Sequence, residues 1–274
     1  MPELPEVETV VRGLRAAFNE PNQIVAVEVS GKKLRVPCPP DLPTLLLDRR
    51  FTNINRRAKY ILITLDNGQI LVFHLGMSGR LTIAPQNPTL LHDHVKLRFN
   101  SGHWLVYNDP RRFGGVTLIP HSSALPLHPL FRSLGIEPLT PEFTADILAQ
   151  ILNKRTGNIK SALMNANLIV GVGNIYACEA LFRAGIHPMR PAGSLSSKEC
   201  EQLVGDIKSV LEEAIISGGS TLRDYVRSSG DPGYFQHSFK VYGRHKKPCE
   251  KCNSLIENLR ISGRSTFYCG RCQR

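Results

Sequence analysis

Near the start of the chain Val7, Val10, Val11, Leu14 and Phe18 fall at positions i, i+3, i+4, i+7 and i+11, which lays one apolar stripe along a helix. Pro2 and Pro5 sit just ahead of that stripe and keep the opening extended, because proline fixes its own φ and restricts the residue before it. From residue 24 to about 119 the pattern shortens into β-rich runs, including 24–29, 60–65, 70–75, 95–99 and 116–119, separated by Gly, Pro, Asn and Asp. Several antiparallel strands with one helix predict a β-sandwich domain over residues 1–119. Residues 120–141 hold five prolines (Pro120, Pro126, Pro129, Pro138 and Pro141) and read as a linker. Beyond it the period turns helical, over roughly 142–153, 159–166 and 174–184. A long amphipathic helix then starts from Lys198, with Leu203, Ile207, Val210, Leu211 and Ile215 on one face. Ser196 and Glu199 form a capping-box pattern at its start. Residues 217–233 are rich in Gly and Ser and read as a mobile loop. The fold class is therefore multidomain α+β: a sandwich, a helical domain over 142–239 and a terminal segment over 240–274.

Charge adds a partner to this picture. Thirty-four Lys and Arg stand against 23 Asp and Glu, a formal net charge of +11, which favours a polyanion through phosphate neutralisation. The excess is concentrated in residues 240–274, where nine basic residues face only Glu250 and Glu257. The first eight residues are the opposite, with Glu3, Glu6 and Glu8 and no base, a poor grip for a phosphate backbone. Apolar stretches such as 70–73 are far too short to span a bilayer, so no membrane role is expected. A soluble, intracellular protein is expected, and an odd cysteine count of seven argues against a disulfide framework.

Four of those cysteines have another use. Cys249 and Cys252, then sixteen residues, then Cys269 and Cys272 offer two CxxC pairs suited to one tetrahedral zinc ion. Because all four ligands are protein groups, the metal has no open position and is structural. It should pin a hairpin whose intervening Arg260 and Arg264 either enter a DNA groove or form a solvated basic turn. Gly171-Val172-Gly173-Asn174 lacks the third glycine of a dinucleotide loop. It reads instead as a helix opening at Asn174 toward a phosphate, or as glycines that merely permit close helix packing. Arg56-Arg57-Ala58-Lys59-Tyr60 is read as entering a strand with Arg57 and Lys59 on one face, for DNA contact or as a charged edge. Asn108 to Gly114 is a turn in which Arg111 and Arg112 flank Phe113, suited to phosphate contact and to insertion into a base stack. Phe113, His74 and Met77 would each pass equally as core residues. Cys38, Cys178 and Cys200 read as buried small hydrophobes.

The opening Met1-Pro2-Glu3-Leu4-Pro5-Glu6-Val7-Glu8 and these later motifs resemble, in order and spacing over essentially the whole chain, the formamidopyrimidine-DNA glycosylases. Leu4 and Val7 favour that family over the endonuclease VIII-like enzymes. The resemblance implies a β-sandwich, a helix-two-turns-helix domain and a zinc finger. It also implies excision of oxidised purines from double-stranded DNA, in which Pro2, once Met1 is removed, attacks C1′ of the damaged nucleotide. Glu3 would serve as acid and base at the sugar oxygen, and Glu6 would support the cationic intermediate; their plainer role is favourable charge at a helix start. Elimination would then cut the strand on both sides of the lesion. Lys59 and Arg264 join the catalytic set as clamps on the flanking phosphates, with His74 and Asn174. Met77, Arg111 and Phe113 would fill the gap left by the flipped nucleotide, Arg111 facing the orphaned cytosine, while Arg112 holds backbone. Lys160 is implied to bear on oxidised guanine, and residues 217–225 to cap the everted base. Ala58 stands where glycine is common in relatives, and Asn165-Ala166 where Asp-Asn is common. A monomer in the bacterial cytoplasm, associated with the nucleoid, is expected. Two alternatives remain: an endonuclease VIII-like glycosylase for oxidised pyrimidines, and a zinc-ribbon binder of damaged DNA without catalysis.

Overall fold

The computed structural model describes residues 2–18, 22–87, 90–220 and 233–274. The chain divides into two compact units, residues 1–132 with 217–234, and residues 133–216 with 235–274.

The first unit opens on α1 (Leu4–Ala17), whose Val7, Val10, Val11 and Leu14 are all fully buried. Burial of each such side chain stabilises the fold by about 2 kcal/mol relative to exposure. Strand β1 (Ile24–Val29) and the short α2 (Leu42–Leu46) follow, then β2 (Phe51–Arg57), β3 (Tyr60–Leu65), β4 (Ile70–His74) and β5 (Arg80–Ala84). The last three strands are β6 (Asp93–Phe99), β7 (Trp104–Asn108) and β8 (Gly115–Ile119). They pair antiparallel into two four-stranded sheets, ordered β1-β6-β7-β5 and β2-β3-β4-β8. Ile61, Ile63, Leu71 and Phe73 of one sheet share a core with Leu81, Leu97, Leu105 and Tyr107 of the other and with α1.

Residues 56–60 correct the strand reading made above. Arg57 pairs with Tyr60 across a two-residue turn, so Ala58 and Lys59 are the hairpin tip and strand alternation does not apply to them. Ala58 takes φ +53, the left-handed angle that such tight hairpins demand. Arg56 turns back to Glu8 of α1 at 3.1 Å and is not offered to a ligand. The proline-rich segment is likewise less free than a linker: residues 122–127 form a 3₁₀ turn, and buried Phe131 stacks on Tyr60 at 4.9 Å within the first unit.

In the second unit α3 (Ala145–Leu152) is capped by Thr144, whose hydroxyl accepts the Ile147 N–H, and α4 (Ile159–Leu163) by Asn158 in the same way. The next two helices, α5 (Asn174–Arg183) and α6 (Ser197–Ile216), pack together, and α6 also packs on α3. At the head of α6 both halves of the expected capping box form: Glu199 N–H to Ser196 Oγ at 3.3 Å, and Ser196 N–H to Glu199 Oε2 at 2.8 Å. The hairpin β9 (Glu257–Ile261) and β10 (Arg264–Tyr268) closes the chain and packs on α5, with Cys178, Phe182, Val241, Ile256 and Cys269 in one core cluster. Among the described residues no helix is long and apolar enough to cross a membrane.

Candidate active site and nucleic-acid interface

Pro2, Glu3 and Glu6 are all buried at the head of α1. Glu3 is the N-cap residue, and its own N–H donates to Glu6 Oε2 at 2.8 Å, while the Glu3 carboxylate accepts from the Glu6 backbone. The other Glu6 oxygen accepts both the N–H and the hydroxyl of Ser220, at 2.8 and 3.0 Å. These carboxylates form a hydrogen-bonded helix cap, a role beyond the favourable charge at a helix start that the plainer reading gave them, and their polar atoms hold the chain start in one geometry. Ser220 falls in the segment expected to cap the everted base, but its bond to Glu6 was invisible to sequence reasoning because 214 positions separate the two. Residues 221–225 of the expected lesion cap lie outside the described residues; the flanking segments close on each other, Tyr234 N–H donating to Ser217 O at 3.2 Å.

Lys59 at the β2–β3 tip and His74 at the end of β4 come together, since Tyr60 pairs with His74 and their rings stack at 4.8 Å. Burial lowers the His74 pKa to about 4, with the charges of Lys59 and Arg35 adding to the effect. The imidazole is thus neutral near pH 7. Its Nδ1 accepts the Gly76 N–H at 3.3 Å, which leaves the proton on Nε2, a neutral donor. Arg35, not singled out by the sequence, is brought here by its backbone, whose N–H donates to Arg112 O at 3.1 Å.

The 74–79 and 108–114 segments carry the other expected interface groups. Met77 is 39 % exposed and Phe113 43 %, so neither is a core residue. Arg111 is exposed and lies over the Phe113 ring, 4.9 Å from its centroid; Arg112 is also exposed, at φ +57. Beneath them Tyr107, His94, Ser78 and Asp109 form a buried polar group that sequence reasoning passed over. Only the turn-forming Asp-Pro pair hinted at it.

Lys160, Asn174 and Arg264 belong to the second unit, where Lys160 and Asn174 bond to each other and to the residues that follow Arg264 on β10. Lys160, expected among the DNA contacts, is instead fully buried: its ammonium donates to Asn174 Oδ1 at 2.5 Å and Thr266 Oγ1 at 2.6 Å. Asn174 Nδ2 donates onward to Ser265 O at 2.9 Å, which ties the start of α5 to β10. Gly171 at φ +79, with Val172 and Gly173, is buried under this turn, so close packing is part of the motif's role. Arg260 and Arg264 are exposed on the hairpin, whose two-residue tip, Ser262 at φ +48 and Gly263 at φ +75, turns β9 into β10.

The sulfurs of Cys249, Cys252, Cys269 and Cys272 lie within 4.8 Å of one another, Cys249 to Cys272 at 3.9 Å and Cys252 to Cys269 at 3.4 Å. Four thiolates at about 2.3 Å from a tetrahedral zinc are about 3.8 Å apart, so the cluster reaches that geometry with shifts of about 1 Å or less. It is a closed, structural zinc site.

A sandwich with buried carboxylates at its first helix, a helical unit and a four-thiolate hairpin together define a zinc-finger protein of the helix-two-turns-helix class. Residues 1–116 match the formamidopyrimidine-DNA glycosylase N-terminal domain, 134–226 its H2TH domain, and 246–274 the zinc finger found in FPG and IleRS. The formamidopyrimidine-DNA glycosylase of Wolbachia sp. subsp. Brugia malayi is 46 % identical over 274 residues, and that of Dichelobacter nodosus 47 % over 276, each covering all of both chains. The solved MutM (Fpg) protein of Thermus thermophilus matches 99 % of this chain and 98 % of its own at TM-score 0.87 and 38 % identity. A Lactococcus lactis Fpg variant, solved in complex with Fapy-dG containing DNA, matches all of both chains at TM-score 0.91 and 32 % identity. The chain belongs to the formamidopyrimidine-DNA glycosylase family.

Proposed function

We propose that this chain is a base-excision enzyme that removes oxidised purines from duplex DNA and then cuts the strand at the abasic site, acting as a monomer. The observation that carries the reading is the chain start itself: Pro2 is buried directly ahead of a helix cap made by Glu3 and Glu6 and closed by Ser220. Freed of Met1, the Pro2 nitrogen is a secondary amine. It attacks C1′ while the base leaves with its electron pair and a proton, and the adduct opens to an iminium. Glu3 moves protons at the ring oxygen, and Glu6 holds Glu3 by its backbone. Loss of the proton at C2′ expels the 3′ phosphate, and a second elimination expels the 5′ phosphate.

Lys59 and neutral His74 supply donors for the lesion phosphates on the first unit, and Asn174 and Arg264 on the second. Lys160 acts through Asn174 and never reaches the nucleotide. Met77, Arg111 and Phe113 fill the gap in the stack. The zinc ion keeps the Arg264 hairpin folded and takes no part in bond making.

Borohydride trapping on a duplex with one 8-oxoguanine opposite cytosine tests this. The expected adduct maps to Pro2 and disappears when Met1 is retained. Full trapping with a blocked terminus would sink the Pro2 assignment. One observation favours a wider substrate range: the Lactococcus lactis wild-type protein has also been solved with an oxidized pyrimidine containing DNA. The ratio of excision rates on 8-oxoguanine and thymine glycol decides between the two lesion classes.

A further inference from the structure

Asp109 is fully buried, has no route to a substrate, and yet sits at the centre of the interface loops. Its Oδ1 accepts the Ser78 hydroxyl at 2.7 Å, and its Oδ2 accepts the Gly114 N–H at 2.8 Å and lies 3.3 Å from the Tyr107 hydroxyl. That hydroxyl also reaches His74 O, at 3.1 Å. The Ser78 oxygen in turn accepts the Arg111 N–H at 3.2 Å, and the Asp109 carbonyl meets His94 Nε2 at 2.9 Å. One carboxylate therefore fastens the segment bearing Met77 to the segment bearing Arg111 and Phe113. Backbone contact completes the joint. A Cβ on Gly76 would stand 2.4 Å from Gly114 N, and one on Gly114 2.2 Å from His74 O.

The donors around Asp109 explain why a carboxylate is needed. Ser78, Tyr107 and Gly114 all present hydrogens, and the Gly114 donor is fixed in the backbone. An amide that kept its oxygen on Gly114 would turn its N–H₂ to Ser78, whose oxygen would then accept from both that amide and the Arg111 N–H and whose own hydrogen would lose its acceptor.

We propose that Asp109 is a positioning residue that locks the 74–79 and 108–114 loops into one wedge, so that gap filling and reading of the opposite base depend on a group that touches neither. The proposal rests on the gap-filling role given above to Met77, Arg111 and Phe113.

Its test compares two activities of the same preparations: excision of 8-oxoguanine from duplex, and cleavage of a single-stranded abasic oligonucleotide, which has no opposite base and no gap. In Asp109→Asn and in Ser78→Ala, duplex excision should fall about tenfold further than single-strand cleavage, since small misplacement of a positioned group is costly. The fluorescence change of 2-aminopurine opposite the lesion should slow by the same factor, and preference for cytosine over adenine should weaken. A general loss of stability would lower both activities in proportion. That result, or no change in either, overturns the proposal. Should Asp109→Asn fail to fold, Ser78→Ala decides, because it keeps the carboxylate and its bond to the Gly114 N–H and removes the hydroxyl that joins Asp109 Oδ1 to the Arg111 N–H. A wild-type protein inert on both substrates would overturn the function proposed above, and this inference with it.

Discussion

Two glycines separate steric need from conformational need. Gly114 has an ordinary φ, but a Cβ there would meet the Tyr107 hydroxyl at 2.0 Å and His74 O at 2.2 Å. Gly68 is the converse, at φ +82 with nothing within 4 Å of its missing Cβ. Gly114→Ala should therefore lower stability by about 3 kcal/mol through overpacking, and Gly68→Ala by only about 1 kcal/mol through the left-handed angle. Urea denaturation of the two variants measures the difference, and equal losses would contradict it. Ala58 shows how a side chain survives at such an angle. Its φ of +53 costs about 1–2 kcal/mol, and its buried methyl returns about 0.8 kcal/mol, so the balance against glycine is small. The residue types of the site were legible from sequence, since His74, Lys59, Arg111 and Arg264 each stood in a recognisable motif. Which of them reach the surface was not. Phe113 is exposed and Lys160 buried because both are decided by neighbours distant in the chain.

Elements were readable where their apolar period was strong. Strands β3 and β4 and helices α1, α5 and α6 follow their hydrophobic patterns, and the thiolate hairpin follows its CxxC spacing. Strand β2 did not announce itself, because only Phe51 and Ile54 of its seven residues are buried and the rest read as polar loop. Helix α3 starts three residues later than the period suggested, at the point where Thr144 can cap it. The start of α6 offers a test at this scale. Arg190 makes a two-pronged ion pair with Glu199, and with the Ser196 backbone it holds the Glu199 pKa down at about 2. A carboxylate whose folded pKa is depressed stabilises fully above its ordinary range near 4.5, and loses that contribution as pH falls toward 2. Glu199→Gln should accordingly lower Tm at pH 6 and approach wild type between pH 4 and pH 3, the approach being incomplete at about one unit above the folded pKa. A Tm gap independent of pH would rule out the ion pair as its source.

Over the whole molecule, a charge of +11 predicts DNA binding that weakens steeply with salt. If Arg264 neutralises one phosphate, Arg264→Ala should flatten the slope of log K against log salt by about 0.9, measured by fluorescence anisotropy. An unchanged slope would place Arg264 outside the phosphate contacts. Global pairing was the least legible level, since periodicity reports local faces and says nothing of partners such as Lys160 and Thr266, 106 positions apart. The bond from Glu6 to Ser220 carries a consequence for synthesis. The first unit is discontinuous, residues 217–234 belonging with 1–132. A ribosome adding about 5–20 residues per second delivers Ser220 roughly 10–40 seconds after Glu6. Through that interval a nascent sandwich can form its core while the Glu6 carboxylate waits for its last partner. The head of α1 thus gains its last hydrogen-bond partner 214 residues after Glu6 itself is made, and a chain broken off before residue 217 would leave Glu6 without Ser220.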